Sequence, residues 1–281
     1  MKQLRGKTAL VTGASRGIGV YIVKALARQG MDLVLAARSR ESLEKVASEV
    51  ATGGQRTLSV PTDVGDRASL EALAGAALDF GGVDVLVNNA GIERGVAYDR
   101  ISLEAIDQVI DVNLTAPMIL TRLLLPQMLQ RGGGHVVNIA SVAGLVGTPY
   151  NEAYSATKHG LMGFTRSLRV TAVGEGYPVG ASSVCPGFVA DAGMYEDMRQ
   201  ETQINAPALL GTVAPERVAD AVVRAIVDDV PEIVVNARPM MPLRLVATLF
   251  PRFADWFAQK SGVIDLFKRA AAVEERKARE S

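Results

Sequence analysis

The sequence predicts one doubly wound α/β domain, with a mostly parallel seven-stranded sheet, helices on both faces and an extra C-terminal helical tail. Three observations carry that reading. Short apolar runs alternate with amphipathic helical segments along the chain, a glycine-rich turn joins the first run to the first helix, and no two runs are joined as adjacent hairpins. Apolar residues make up 48% of the 281 and charged residues 21%, a globular balance that excludes disordered and fibrous classes. With 30 basic and 30 acidic residues the formal net charge is 0, so nothing draws the whole chain toward nucleic acid.

The elements follow in order. Thr8–Thr12 is an apolar run ending in a glycine turn, with a helix expected over 18–29 that Gly30 stops. Asp32–Ala37 is a second buried-type strand. The rhythm then repeats as helix 40–52 and strand 56–60, helix 66–79 and strand 84–88, and a helical region 102–131 before strand 135–140. Helix 151–173, strand 179–184, helix 215–228 and strand 232–235 complete it. Residues 188–212 read as a long connection after a strand end, where ligands bind in such sheets. Without an internal repeat or linker, residues 1–237 read as one dinucleotide-binding catalytic domain, followed by a helical extension over 238–281.

Single ionisable residues exclude several chemistries. A lone cysteine, Cys185, allows no intramolecular disulfide, and with only His135 and His159 beside it no zinc site is expected. The apolar run that ends at Gly13 is too short to span a bilayer and carries no signal-cleavage pattern. No uncharged run approaches spanning length, so the expectation is a cytoplasmic protein without a transmembrane segment.

The turn Thr12-Gly13-Ala14-Ser15-Arg16-Gly17-Ile18-Gly19 has the composition of a phosphate cradle. Glycines let backbone approach a pyrophosphate, which then lies against the amides of the next helix. Further on, Asp63-Val64 ends the third strand and Asn88-Asn89-Ala90-Gly91 the fourth. Asn113 lies in the long helical region, Ser141 ends the fifth strand, and Tyr154 and Lys158 stand four apart on a helix. Pro186-Gly187 follows the sixth strand.

These motifs, in this order and on these elements, resemble the short-chain dehydrogenase/reductase family over about residues 4 to 235. The resemblance implies a nicotinamide-dependent oxidoreductase with Asn113, Ser141, Tyr154 and Lys158 as its catalytic set. It places the cofactor on Gly13, Ser15, Arg16, Gly17, Ile18 and Gly19, and on Arg38, Asp63 and Val64. Asn89, Ala90 and Gly91, then Tyr154, Lys158, Pro186, Gly187 and Val189, complete that surface. In the family Asp63 accepts from the adenine amino group, and Asn113 holds a water that relays protons to Lys158. The long helices 102–131 and 151–173 imply a homodimer or homotetramer.

The residues also speak for themselves. Tyr154 and Lys158 emerge on one helix face. An ammonium roughly 5 Å from a phenol, at an effective dielectric of about 20, favours the phenolate by about 3 kcal/mol, which draws its pKa down by about two units. Tyr154 is then suited to exchange a proton with a carbonyl oxygen or an alcohol, and Ser141 can hydrogen-bond the same oxygen. NAD-preferring relatives place an acid at the end of the second strand, where this chain has Ala37 followed by Arg38, with Arg16 in the glycine turn. Two guanidinium groups and no carboxylate suit a 2′-phosphate, so NADP(H) is expected over NAD(H). One departure is Asp191, where the family commonly has Thr; a carboxylate near a pyrophosphate is unfavourable and is expected to turn outward.

The substrate is expected to be a hydrophobic carbonyl or alcohol, of acyl, steroid-like or other lipid type. Phe188, Met194, Tyr195, Met198, Ile204, Leu209 and Leu210 would line its cleft. The tail carries nine Lys/Arg against five Asp/Glu, together with Phe250, Phe253, Trp256, Phe257 and Phe267. The stripe from Phe250 to Phe257, interrupted by Arg252, Asp255 and followed by Lys260, reads in two ways: a helix packed on the body or a second subunit, or an interfacial lipid anchor at the substrate mouth. Two other functions stay open. One is a non-catalytic NADP-sensing protein on the same fold. The other is an epimerase or dehydratase of the family's longer branch, whose Gly-x-x-Gly-x-x-Gly spacing and larger substrate domain are not seen in this sequence.

Overall fold

A computed structural model of the protein describes residues 1–206 and 210–280. Leu209, expected in the cleft lining, lies outside the described residues. The strands are β1 (Thr8–Thr12), β2 (Asp32–Ala37), β3 (Thr57–Pro61), β4 (Val85–Asn88), β5 (Gly134–Ile139), β6 (Val179–Pro186) and β7 (Glu232–Val235). All pair in parallel in the order β3-β2-β1-β4-β5-β6-β7. The helices of the alternating part are α1 (Ile18–Arg28), α2 (Arg40–Val50), α3 (Arg67–Asp79), α4 (Leu103–Ile110), α5 (Ala116–Gln130), α6 (Glu152–Glu175), α7 (Met194–Thr202) and α8 (Pro215–Val227).

Strand alternation explains why the apolar runs are unbroken. Ala9, Val11, Leu33, Leu35, Val85 and Val87 face one cluster, with Ile22 of α1 and Val222 of α8. Their neighbours Leu10, Val34 and Leu86 face the opposite cluster, with Leu73 of α3 and Leu120 of α5. A sheet covered on both faces needs apolar side chains at both parities. Truncating a fully buried leucine there, such as Leu86, would cost roughly 2–5 kcal/mol.

Two elements differ from the sequence reading. The connection 188–212 is not all loop, since α7 occupies its middle. The helical region expected over 102–131 is two α-helices joined by a π turn at Asp111–Thr115. The stretch Leu103–Gln130 is, by length and composition alone, apolar enough to cross a membrane, although Glu104, Asp107, Asp111 and Arg122 interrupt it and leave no uncharged run of spanning length. Its apolar side chains are used otherwise: Leu120, Leu124 and Met128 are buried against the sheet.

The tail forms three helices, α9 (Met241–Leu249), α10 (Pro251–Lys260) and α11 (Val263–Glu280). Neither α9 nor α10 has a buried residue. Helix α11 turns back to the body, burying Leu266 and Ala271.

Candidate active site

The carboxyl edge of the sheet, where β1 and β4 lead to opposite halves, is the switch point at which ligands bind in such folds. The glycine turn lies there. Gly13 has φ 66°, and a Cβ on it would come within 2.9 Å of Asn89 Nδ2. A Cβ on Gly19 would overlap the Gly13 carbonyl oxygen, so neither position accepts a side chain. Helices α2, α3 and α4 are capped by Ser39, Asp66 and Ser102, whereas no side chain caps α1 and its first turn holds no acid. The N–H groups and positive dipole end of α1 therefore face an open turn built from Gly13, Ser15, Gly17, Ile18 and Gly19. That is a cradle matched to a pyrophosphate.

Thr12, which opens the glycine turn, fixes this turn to β4. Its hydroxyl accepts from the N–H groups of Asn89 and Ala90, each at 3.0 Å, while Asn89 Nδ2 donates to the carbonyls of Thr12 and Gly13 at 2.9 and 3.1 Å. Asn88 is buried behind them and donates to Asn138, which donates in turn to Thr165. Arg38 is exposed just past β2, with no ion pair among the described residues. Arg16 is exposed too, but its guanidinium reaches Asp197 of α7 at 2.7 Å. Asp63 is exposed and accepts from Gly65 N–H, while Val64 leans on the core cluster of α3 and α5.

Asn113 sits in the π turn, fully buried. Such turns re-aim helix side chains and recur at functional sites. Its Oδ1 accepts from Ile92 N–H at 2.9 Å, and its Nδ2 donates to the Ile92 carbonyl at 2.8 Å and to Thr157 at 3.3 Å. The amide thereby ties the segment after Gly91 to α6, and the Gly91 Cβ position lies 3.6 Å from Lys158 Nζ and 3.3 Å from Met194 Cε.

Ser141, Tyr154 and Lys158 come together beside it. Lys158 is 3% exposed; its Nζ donates to the Ile139 carbonyl at 2.9 Å and stands 5.5 Å from the Tyr154 ring centre. Tyr154 lies beside Ser141, whose hydroxyl favours the phenolate. The separation matches the expectation, but the direction of the Tyr154 shift does not. Burial, aided by the nearby Glu93 carboxylate, pushes the phenol above its ordinary value, and the Ser141 hydroxyl offsets only part of this. Burial also lowers Lys158 to about 8, against the pull of Cys185 and Glu93. Withdrawal from water thus outweighs the charge attraction between the pair.

Glu93 went unnoticed in the sequence, where it is one acid two residues past Gly91. Burial raises its carboxyl to about 7, assisted by Glu274 and Asp197 and opposed by Lys158. It is therefore half-ionised near neutrality beside the Tyr–Lys pair.

The last wall follows β6. Pro186 ends the strand, and a Cβ on Gly187 would overlap Asn236 Oδ1. Buried Val189 bridges to Val213. Asp191 is exposed at φ 58°, turned outward as expected. Phe188 meets Tyr195 of α7 at 4.9 Å and Phe267 of α11 at 6.3 Å between ring centres. Glu275 of α11 accepts from Arg100 at 2.6 Å, so α11 is pinned across the mouth. Among the described residues no group of three or more His, Cys, Asp or Glu is arranged to hold a metal.

Residues 7–203 match the family model described as short chain dehydrogenase. The ketoacyl reductase HetN of Nostoc sp. is 42% identical over 277 residues, covering 96% of this chain and 94% of that protein. A short chain dehydrogenase/reductase from Burkholderia phymatum in complex with NAD superposes with a TM-score of 0.78 at 30% identity, covering 90% of this chain and 96% of the other. A variant actinorhodin polyketide ketoreductase with NADPH gives 0.74 at 32% identity, covering 84% and 97%.

Proposed function

The chain belongs to the short-chain dehydrogenase/reductase family of oxidoreductases acting on small-molecule carbonyls or alcohols, and from that premise we propose that it reduces a hydrophobic carbonyl with NADPH. The observation that carries this reading is the half-buried Tyr154 phenol, set beside Ser141 and flanked by Lys158 at the switch-point edge. A bound NADPH supplies a hydride to the carbonyl carbon. Tyr154 gives its proton to the carbonyl oxygen as that oxygen takes up the electron pair of the C=O bond, and the product is a secondary alcohol. Ser141 orients the oxygen with a hydrogen bond. Lys158, held by Ile139, stabilises the phenolate left behind. Asn113 relays the replacement proton through a water, using the capacity its bonds to Ile92 and Thr157 leave open.

NADPH would be held at the uncapped end of α1, where Arg38 and an Arg16 released from Asp197 would serve its 2′-phosphate, Asp63 and Val64 the adenine, the Asn89–Gly91 backbone the ribose, and Pro186, Gly187 and Val189 the nicotinamide. The known neighbours include an NAD and an NADPH complex, so this preference rests on the two arginines. Phe188, Met194, Tyr195 and Phe267 support an acyl, steroid-like or lipid substrate, and the names of the Nostoc and polyketide relatives point to an acyl chain bearing a ketone. Residues 1–237 serve as the catalytic domain and 238–281 as an extension packed on it. Exposed Leu103, Ile110 and Met118 around α4 and α5, with Val170 and Val173 of α6, suit a dimer or tetramer interface in a cytoplasmic enzyme.

The test is Tyr154→Phe, assayed by NADPH oxidation over a panel of ketones. Turnover should fall about 10²–10⁴-fold or more while NADPH still binds. Retained turnover would refute the assignment, and a wild type that binds NADPH but reduces nothing would instead fit a nucleotide sensor.

A further inference from the structure

Six large apolar side chains stand more than half exposed within one short stretch: Met241, Leu245, Leu249, Phe250, Phe253 and Trp256. On α9 the first three recur every four residues and form one stripe. Phe250, Phe253 and Trp256 continue it at spacings of three along α10, where the last two rings lie 5.5 Å apart. The hairpin is not a loose tail. Arg244 pairs with Glu232 of β7 at 2.7 Å, and Met240 and Leu243 pack against Ala140, Val142 and Leu145, the residues flanking Ser141. The inner side of the hairpin therefore rests on the substrate end of the sheet, and its apolar face points away from the protein.

The character of the patch identifies its occupant. Its centre is poor in hydrogen-bonding side chains, because the Thr248 hydroxyl is turned back to the Arg244 carbonyl at 2.8 Å. Protein interfaces carry about one hydrogen bond per 100–200 Å², and this centre offers little beyond the Trp256 indole N–H, a group suited to the headgroup level of a bilayer. Its rim is basic: Arg238, Arg252 and Lys260 are exposed with no ion pair among the described residues, against the single acid Asp255. An aromatic and aliphatic centre bordered by cations matches a bilayer interface bearing anionic headgroups. We propose that the outer face of α9 and α10 docks the protein on an anionic lipid surface, with the substrate end of the sheet turned toward that surface. The link to substrate delivery rests on the hydrophobic-carbonyl reading above; the docking itself does not.

Trp256 is the only tryptophan of the chain and sits within the patch, so its emission reports the event directly. Full-length protein is titrated with vesicles of phosphatidylcholine alone and of phosphatidylcholine with phosphatidylglycerol, and its flotation is followed in parallel. A blue shift and flotation with the anionic vesicles, weakened by high salt and reduced about tenfold or more in Leu249→Glu and Phe253→Glu, is the expected result. Absence of both in the wild type overturns the proposal. So does an emission already blue without lipid and unmoved by vesicles, together with loss of oligomer in the two variants by light scattering, because the patch then joins two copies of the chain. NADPH oxidation with a short water-soluble ketone is measured on the same samples. Its failure would count against the reductase reading and leave the docking result standing.

Discussion

Replacing Arg38 by Asp should reverse the cofactor preference, and the structure bounds the size of the effect. Arg38 is exposed beyond β2 and has no ion pair to give up among the described residues, so its guanidinium can engage a 2′-phosphate without a competing partner. A hydrogen bond to a charged group contributes about 1.5–3 kcal/mol, or about 10- to 150-fold in affinity. Aspartate removes that bond, adds repulsion toward the phosphate, and can accept from the 2′-hydroxyl of NADH. The NADPH-to-NADH affinity ratio should therefore fall about 100-fold or more. Arg16→Ala should cost less, about tenfold or below, because Arg16 must first leave Asp197; a surface pair of that kind is worth about 0–1 kcal/mol. Fluorescence titration with both cofactors, checked by kcat/KM, measures each ratio. The reasoning is refuted if wild type binds NADH as tightly as NADPH, or if the Arg38→Asp ratio stays within about threefold of wild type.

Three further outcomes follow from the site and the core. Lys158 should lose its proton near its value of about 8, so reduction should slow as pH rises through that point; Glu93→Gln removes an anion that supports the ammonium and should move this limb toward lower pH, and an unmoved limb in kcat profiles would exclude Glu93 from the site's electrostatics. His135 is buried against Ser182, and burial lowers it from 6.5 to about 4. Below pH 6.5 the unfolded chain takes up a proton that the folded chain refuses, so stability falls from there toward pH 4 by about 3 kcal/mol, and His135→Gln should abolish that part of the loss in urea titrations. Phe267→Ala takes from Phe188 its partner on α11 and should raise KM for long apolar ketones several-fold (about 1 kcal/mol of ring contact) while NADPH affinity holds; an equal rise for short ketones would mean that α11 does not wall the substrate side.

The cofactor half was readable because its signals are local. Gly13 and Gly19 admit no side chain, and β1, β2 and β4 are short apolar runs whose two faces both meet helices. The substrate half was readable only where a motif marks it. Helix α7 buries just Tyr195 and Glu196, too few positions for a 3.6-residue apolar period to show, and so it read as loop. Thr12 stands in the glycine-turn motif but nothing local shows its role, and Glu93 carries no pattern: one acts through backbone amides of another strand, the other through burial beside residues some 60 positions away. An acid next to Arg94, directly after the apolar and small stretch Ala90-Gly91-Ile92, was the one available signal for Glu93. The direction of the Tyr154 shift was out of reach for the same reason, since spacing on a helix fixes the distance to Lys158 but not the loss of water around both.

The tail shows how far composition can carry an argument before geometry must divide it. Read as one segment, 238–281 is a basic, aromatic extension with a single role. Folded, its aromatic rings serve two surfaces of opposite sense. Phe267 turns inward to Phe188, and α11 is tied across the mouth by the Glu275–Arg100 pair at 2.6 Å, with that carboxylate side chain only 14% exposed. Phe250, Phe253 and Trp256 turn outward on α10 and bury nothing. The inward helix brings Glu274 close enough to raise Glu93, so the end of the chain reaches the proton balance of the Tyr154 and Lys158 pair through one intervening carboxyl.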